Sequence, residues 1–203
     1  MSIRTLHLIR HGNYTRRKLP PGLRLRVDAS NLQLDGGLTE LGRDQARRTA
    51  KRLVDLNLTA LHSSTLPRAL QTAELLLEPL DRVALHTTEA LWECIPHLPE
   101  GFQHRLGDIE EEDLRLGRGR AEAAFARYFA PPQGEQDAEE VLVCHGNLIR
   151  YFVARVLQVN LDAWTRMRSH HCGISTVMVN SEGRMRLVSY NDTGHLPYPM
   201  VTS

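Results

Sequence analysis

Two short apolar runs in this 203-residue chain end in the same three residues, His-Gly-Asn. The first, HLIRHGN, covers residues 7–13, and the second, VLVCHGN, covers residues 141–147. Each run has the length and apolar content of a buried strand, and a glycine at its end permits a tight turn. Parallel α/β sheets bind ligands beyond the carboxyl ends of their strands. We therefore expect both segments to face one crevice.

The rest of the chain alternates between helical and strand-like patterns. Thr39 is a plausible N-cap of a first helix, although Gly42 weakens its first turn. A second helix has hydroxyl residues and Pro67 at its start. The helices are predicted in LTELGRDQARRTAKRLVDLN, SSTLPRALQTAELLLEPL, RAEAAFARYF and NLIRYFVARVLQV. Further strands are predicted at residues 58–62, near residues 83–85, and as a hairpin in ISTVMVNSEGRMRLVSY.

This alternation predicts one α/β domain over residues 1–203. We expect three layers, α/β/α, in which helices cover both faces of a mostly parallel central sheet. Residues 14–37 are rich in Arg, Pro and Gly and are interpreted as a long loop. Residues 92–118 have no clean period, and we expect an irregular cap there.

Composition limits the cellular setting and the classes of partner. The formal net charge is +1, so charge does not favour nucleic acid or an anionic membrane as a partner. The three cysteines form no CxxC pair, which makes a reducing cytoplasm the simplest location. The N-terminus leads directly into a strand-like run, so we expect no signal peptide or membrane anchor. A homo-oligomer is left open.

Two histidines and two arginines stand where strands give way to loops or helices. Arg10 offers a planar fork for phosphate oxygens, and His11 can attack an electrophile when one ring nitrogen is unprotonated. Arg68 lies in the first turn of the helix after Ser63 and Ser64, and a helix N-terminus favours anions. His145 follows the second strand. Taken singly, each has an ordinary structural explanation, but their convergence on one sheet edge predicts a phosphoryl site.

Four segments carry a family resemblance: LIRHG, LTELGRDQA, HSSTLPRALQTA and VLVCHGNLIRYF. In this order, and over nearly the whole chain, they resemble the histidine phosphatase superfamily, in the branch that includes phosphoglycerate mutases. RAEAAFARYF, NLIRYFVARVLQ and NDTGHLP are further similar to segments of serine/threonine protein phosphatases of the phosphoglycerate mutase family. The resemblance implies a phosphoglycerate mutase-like fold and a phosphatase without cofactor or metal.

The resemblance also implies roles for particular residues. His11 would be the nucleophile and would form a phosphohistidine, while Arg10, Arg68 and His145 would bind the phosphoryl oxygens. Glu93 in ALWECIP would be the proton donor, with Glu89 as its rival. Asn13 and the backbone at Gly146 would add substrate contacts. The segment RSHHCGIST departs from the Asn-Gly-Ser-like sequence usual among relatives, which leaves that edge of the pocket undefined.

Several alternatives stay open at this point. The chain could transfer the phosphoryl group as a mutase, hydrolyse phosphohistidine, or bind phosphate without catalysis. The substrate could be a phosphoprotein or a small phosphomonoester, and the basic segment YTRRKLPPGLRLR could border the entrance. A metal site at His170–Cys172 is disfavoured, because neighbours on a strand point to opposite faces. For the same reason Cys144 is expected to be a buried packing residue.

Overall fold

The computed structural model describes residues 2–16, 35–101 and 111–203. Its centre is a six-stranded sheet in the order β5-β4-β6-β1-β7-β8. The strands of this sheet are β1 (Ile3–Arg10), β4 (Ala60–Ser64), β5 (Leu85–Thr88), β6 (Ala138–Cys144), β7 (Ile174–Asn180) and β8 (Met185–Asp192). Neighbours among β5, β4, β6 and β1 are parallel, whereas the β7–β8 hairpin is antiparallel and adds to β1. The predicted mostly parallel sheet is confirmed.

Two short strands, four helices and three 3-10 segments accompany the central sheet in the described residues. Strands β2 (Tyr14–Arg16) and β3 (Asp35–Leu38) form a separate two-stranded sheet. The helices are α1 (Glu40–Leu53), α2 (Pro67–Leu77), α3 (Glu111–Tyr128) and α4 (Gly146–Val156). Short 3-10 segments lie at Glu89–Leu91, Leu161–Arg166 and Tyr198–Met200. Among the described residues, no helix is both long and apolar enough to cross a bilayer.

Two apolar cores separate the three layers. Leu6 and Leu8 of β1 point to one face of the sheet and pack with α3 and α4, while Ile9 points to the other face and packs with α1 and α2. This alternation follows from the two-residue period of a strand. Because β1 and β6 are covered on both faces, their apolar runs are continuous. The predicted α/β/α architecture is therefore confirmed.

Several predicted details are wrong at the element boundaries. Helix α3 begins at Glu111, inside the segment interpreted as irregular, and its first turn carries three acidic residues that suit a helix N-terminus. Helix α2 has no hydroxyl cap, because its N-cap is Leu66. The nearby hydroxyls are used elsewhere: Ser64 Oγ contacts His145, and Thr65 Oγ1 accepts a hydrogen bond from the Trp92 indole.

The segment His170–Cys172 is a turn before β7, so the strand alternation used in the argument against a metal site does not apply to it. The Gly173 N–H donates to the His170 carbonyl at 3.0 Å, which closes the turn. Cys172 has φ of 56° within it, a left-handed conformation that alternating strand residues do not adopt. Most of the basic segment YTRRKLPPGLRLR, and residues 102–110 of the predicted cap, lie outside the described residues.

Candidate active site

The two His-Gly-Asn segments lie side by side at one sheet edge. Strands β1 and β6 are parallel neighbours, and Arg10 is paired in register with Cys144. The His11 N–H continues the ladder by donating to the Cys144 carbonyl at 3.0 Å. This register brings the rings of His11 and His145 to a centroid distance of 5.2 Å. The structure thus brings both predicted histidines together.

The His11 imidazole is buried, with 2% of its surface exposed, and both of its nitrogens are engaged. Nδ1 is 2.9 Å from the Gly12 carbonyl oxygen, which can only accept, so Nδ1 carries the proton. Nε2 then holds a lone pair, which accepts a hydrogen bond from Arg68 Nε at 3.1 Å. Burial and the nearby Arg68 place the pKa of His11 well below its ordinary value. The ring is therefore neutral and oriented as a nucleophile requires.

Two arginines supply positive charge beside this ring. Arg68 is 4% exposed in the first turn of α2, and its guanidinium also lies 4.8 Å from the centroid of the Tyr14 ring. Arg10 donates a hydrogen bond to the Ser169 carbonyl. Burial lowers the pKa of Arg10 from its ordinary value, and Glu93 partly offsets that effect. A guanidinium group is not deprotonated in proteins, so both side chains supply positive charge to the site.

His145 is the N-cap residue of α4 and is fully buried. Its Nε2 lies 2.9 Å from Ser64 Oγ, while its Nδ1 is buried and meets no hydrogen-bond partner in the part of the chain that the structure describes. Ser64 Oγ also accepts from the Leu66 N–H, so its own hydrogen can be donated to His145 Nε2, which leaves Nδ1–H as a donor. Burial and Arg68 place the pKa of His145 well below its ordinary value.

Glu93 contacts the start of α4 from the segment after β5. One carboxylate oxygen accepts from the Asn147 N–H at 3.4 Å and the other from the Cys94 N–H at 3.2 Å. Burial raises the pKa of Glu93, against the lowering influence of Arg68 and Arg10. Its rival Glu89 lies in a 3-10 turn and is exposed. A carboxyl group with a raised pKa beside cations suits proton donation.

A cavity of about 320 Å³ opens beside these groups. Arg10, Glu93 and Gly146 line it, together with Arg150 and Arg168. A Cβ atom at Gly146 would stand 3.3 Å from Arg10 Nε, so glycine there leaves room for the guanidinium. Sequence reasoning did not identify Arg150, although it lies four residues after Gly146 on α4 and so shares a helix face with it.

Asn13 is hydrogen-bonded to residues at the start of α1. Its side-chain oxygen accepts a hydrogen bond from Thr39 Oγ1 at 2.8 Å, and its N–H donates to Gln45 Oε1. Thr39 in turn caps α1 by accepting from the Gly42 N–H. Asn13 thus connects the His11 loop to a helix N-terminus, and a role in binding substrate stays a prediction.

His171 is a site residue whose role the sequence left open. Its ring is 4% exposed and lies 5.4 Å from the His11 ring, centroid to centroid. A positive-φ turn, which the sequence does not reveal at a cysteine, places it there. Within the described parts of the chain, no cluster of three or more His, Cys, Asp or Glu side chains is arranged to hold a metal ion. Cys144 is fully buried among apolar residues, as expected.

Comparison with known proteins agrees with this geometry. The model of the histidine phosphatase superfamily (branch 1) matches residues 6–106 and 95–193. The chain belongs to this superfamily. Histidine phosphatases similar to it include two proteins named "Serine/threonine-protein phosphatase Pgam5, mitochondrial". The one from Caenorhabditis briggsae is 33% identical over 95% of this chain, and the one from Drosophila persimilis is 34% identical over 98%. The match covers 64% of the first relative and 67% of the second, so this histidine phosphatase spans about two thirds of their length.

Solved structures of other proteins share the fold. A phosphoglycerate mutase from Plasmodium falciparum has a TM-score of 0.65 and 27% identity, over 98% of this chain and 96% of that one. A phosphoserine phosphatase from Entamoeba histolytica has a TM-score of 0.64 at 22% identity, over 96% of this chain and 100% of that one. The second likeness shows the fold alone.

The comparison contradicts the predicted cytoplasmic location. The curated relatives are named mitochondrial proteins, in both nematodes and flies. The prediction used three cysteines without a CxxC pair, which indicates only that a disulfide framework is not needed. Several compartments meet that condition, so the cysteine pattern does not distinguish the cytoplasm from them.

Proposed function

We propose that this histidine phosphatase hydrolyses phosphomonoesters through a phosphohistidine formed on His11. The observation that carries the proposal is the state of the His11 ring. Its proton is held on Nδ1 by the Gly12 carbonyl, so the lone pair on Nε2 faces the arginine-lined site. A fixed tautomer of this kind is what a nucleophilic imidazole needs. The family and its phosphatase relatives support the same reaction.

The first step forms a bond between His11 Nε2 and phosphorus and breaks the bond from phosphorus to the ester oxygen. Glu93 gives its proton to that leaving oxygen. Arg68 Nε moves its hydrogen bond from Nε2 to a phosphoryl oxygen, and Arg10 and His145 contact the others. These donors stabilise the charge spread over the three oxygens in the transition state.

The second step returns the enzyme to its starting state. Glu93, now ionised, takes a proton from a water molecule, which attacks the phosphohistidine. Inorganic phosphate leaves, and Nε2 regains its lone pair. A phosphoprotein is the substrate class we favour, because the named protein phosphatases are the curated relatives at 33–34% identity. Phosphorylated residues on a protein would reach the cavity from the side where Arg168 is exposed.

Trapping of the phosphoenzyme tests the proposal. Acid-labile, base-stable radiolabel from a ³²P-phosphomonoester should appear on the wild-type protein and on His145→Asn, and none should appear on His11→Ala. Phosphate release by His11→Ala should fall to background. His7→Gln is the matched control, since His7 lies on β1, the strand that leads into His11, but contacts Thr176 and Glu139. Label on His11→Ala would contradict the assignment.

A mutase is the second candidate, supported by the 27% identical phosphoglycerate mutase that shares the fold over nearly the whole chain. A mutase returns the phosphoryl group from the histidine to a bound product, so it releases little phosphate. Parallel assays of phosphate release and 3-phosphoglycerate isomerisation distinguish the two. We expect phosphate release to dominate with phosphopeptides and with para-nitrophenyl phosphate.

A further inference from the structure

A tight turn places His171 against the end of β1. The Cys172 N–H donates to the Arg10 carbonyl at 2.9 Å, so the turn is bonded to the residue before His11. Cys172 adopts φ of 56°, which costs an ordinary residue on the order of 1 kcal/mol. Its thiol is fully buried in a small apolar cluster with Leu38 and Leu196, and this packing offsets the cost. The turn therefore holds His171 rigidly.

The His171 ring has one engaged nitrogen and one unused nitrogen. Nδ1 lies 2.9 Å from Thr202 Oγ1, whereas Nε2 is buried and has no hydrogen-bond partner among the described residues. Burial, with Arg10 adding to it, lowers the pKa of His171 to about 3, so the ring is neutral at physiological pH. A buried N–H without an acceptor is costly, and native structures rarely keep one without a use.

A chain of hydrogen bonds allows the proton of the His171 ring to lie on Nε2. Gln45 Oε1 accepts from the Asn13 N–H, so its amide nitrogen is the donor and contacts the Met200 carbonyl and Thr202 Oγ1. Because Thr202 Oγ1 accepts from Gln45, its own hydrogen is free to be donated. His171 Nδ1 lies 2.9 Å from Thr202 Oγ1 and can accept this hydrogen. In that arrangement the proton of the His171 ring is on Nε2.

We propose that the Nε2–H of His171 is a further donor to the phosphoryl group bound at His11, and that Thr202 is the positioning residue that fixes this tautomer. The inference rests on the proposed phosphoryl chemistry of the site. The His171 ring lies beside the His11 ring, and Arg10 and Arg68 are close enough to influence the charge state of His171. An anionic oxygen held by those arginines is the acceptor that suits a buried neutral N–H. His171 would thus supply a phosphoryl contact at the pocket edge formed by RSHHCGIST, the segment that departs from the family pattern.

Substitution at His171 tests the donor directly. Phe keeps a flat ring and removes the N–H, and Gln keeps an N–H donor at a position similar to that of Nε2. We expect His171→Phe to lower kcat/KM for para-nitrophenyl phosphate by roughly 10- to 100-fold. His171→Gln should recover most of that loss. His170→Phe is the control, because its ring contacts Asn191 on the neighbouring strand.

Substitution at Thr202 tests the tautomer. Thr202→Val removes the hydroxyl that donates to Nδ1, and Thr202→Ser keeps it. We expect Thr202→Val to lower kcat/KM and Thr202→Ser to leave it near the wild-type value. Adding Thr202→Val to His171→Phe should cause no further loss, because both variants disable the same donor. Fully additive losses in the double variant would overturn the role of Thr202.

Vanadate affinity separates this inference from the proposed function. It is measured on the same folded variants, monitored by their thermal midpoints, and needs no turnover. Weaker vanadate binding by His171→Phe, restored by His171→Gln, supports the donor even if the wild-type protein releases no phosphate from any ester. Unchanged vanadate affinity and unchanged kcat/KM in His171→Phe would overturn the donor, while the inactivity of His11→Ala would leave the proposed function intact.

Discussion

At the scale of single residues, the pKa values of the two reacting groups, His11 and Glu93, are shifted in opposite directions. Burial and adjacent cations depress the pKa of His11, and burial raises the pKa of Glu93. At neutral pH the imidazole therefore offers a lone pair, and the carboxyl group retains a proton over a wider pH range than an exposed glutamate. Groups whose environments separate their pKa values in this way serve as nucleophile and acid in one site.

Exchange of Glu93 for glutamine tests its assignment as the acid. The acid form of Glu93 acts in the first step, so kcat/KM should fall as pH rises through its elevated pKa. Glu93→Gln should abolish that basic limb and slow the hydrolysis of alkyl phosphates by roughly 10²- to 10⁴-fold. Para-nitrophenyl phosphate, with its better leaving group, should lose less. Glu89→Gln is the matched control, and the opposite pattern in the two variants would contradict the assignment.

At the scale of elements, helix α1 supports the catalytic loop by close backbone contact. A Cβ atom at Gly42 would stand 1.9 Å from the Asn13 carbonyl oxygen, and one at Gly12 would stand 2.6 Å from the Gly42 carbonyl oxygen. Glycine in the first turn of a helix weakens it, but here its lack of a side chain lets the helix approach the His11 loop. The weak first turn noted in the sequence thus has a packing reason.

Alanine at two helical glycines should give stability changes of opposite sign. Gly42→Ala should lower the free energy of unfolding by about 1–3 kcal/mol through overpacking, and should also lower activity by displacing Asn13. Gly119→Ala, at an exposed position of α3 where a Cβ would meet no atom of the described residues within 4 Å, should raise the free energy of unfolding by about 0.5–1 kcal/mol. Urea unfolding measures both. A stabilised Gly42→Ala would show that the contact does not constrain the helix.

At the scale of the whole molecule, the described residues include several histidines that the fold keeps neutral. Burial is the first cause in each case, and the pKa is lowered for His11, His62, His145, His171 and His195. Below about pH 6.5 the unfolded chain binds protons at these positions and the folded chain does not. Stability is therefore full above that pH and is lost as pH falls. The raised pKa of Glu93 has the opposite effect, because its contribution to stability increases as pH falls.

His62 offers a test of this acid sensitivity away from the active site. Its pKa is lowered to about 4 by burial and by the His86 ring stacked on it at 5.2 Å. His62→Phe keeps the ring and removes the titration, so the loss of unfolding free energy between pH 7 and pH 5 should shrink by up to about 2 kcal/mol. Tyr128→Phe, which alters a ring in contact with His62, should leave the pH dependence unchanged. An unaltered slope in His62→Phe would refute the explanation.

Much of the architecture follows from local pattern. The apolar runs of β1 and β6, the 3.6-residue periods of α1, α2 and α4, and the β7–β8 hairpin appear in the structure within a few residues of their predicted positions. Arg10, His11, Arg68 and His145 stand at the ends of those elements. Parallel strands align their carboxyl ends, so the sequence already indicated that these side chains converge.

Tertiary structure alone decided how those side chains are oriented. Ser64 orients His145 across 81 residues of chain, and Thr202 orients His171 across 31. The exposure of Glu89 against the partial burial of Glu93, and the close approach of Gly42 to Asn13, also depend on packing between distant segments. Periodicity reports which face of an element is buried, because that depends on near neighbours. Periodicity does not indicate which hydroxyl group contacts which imidazole ring, because those contacts depend on how the layers pack.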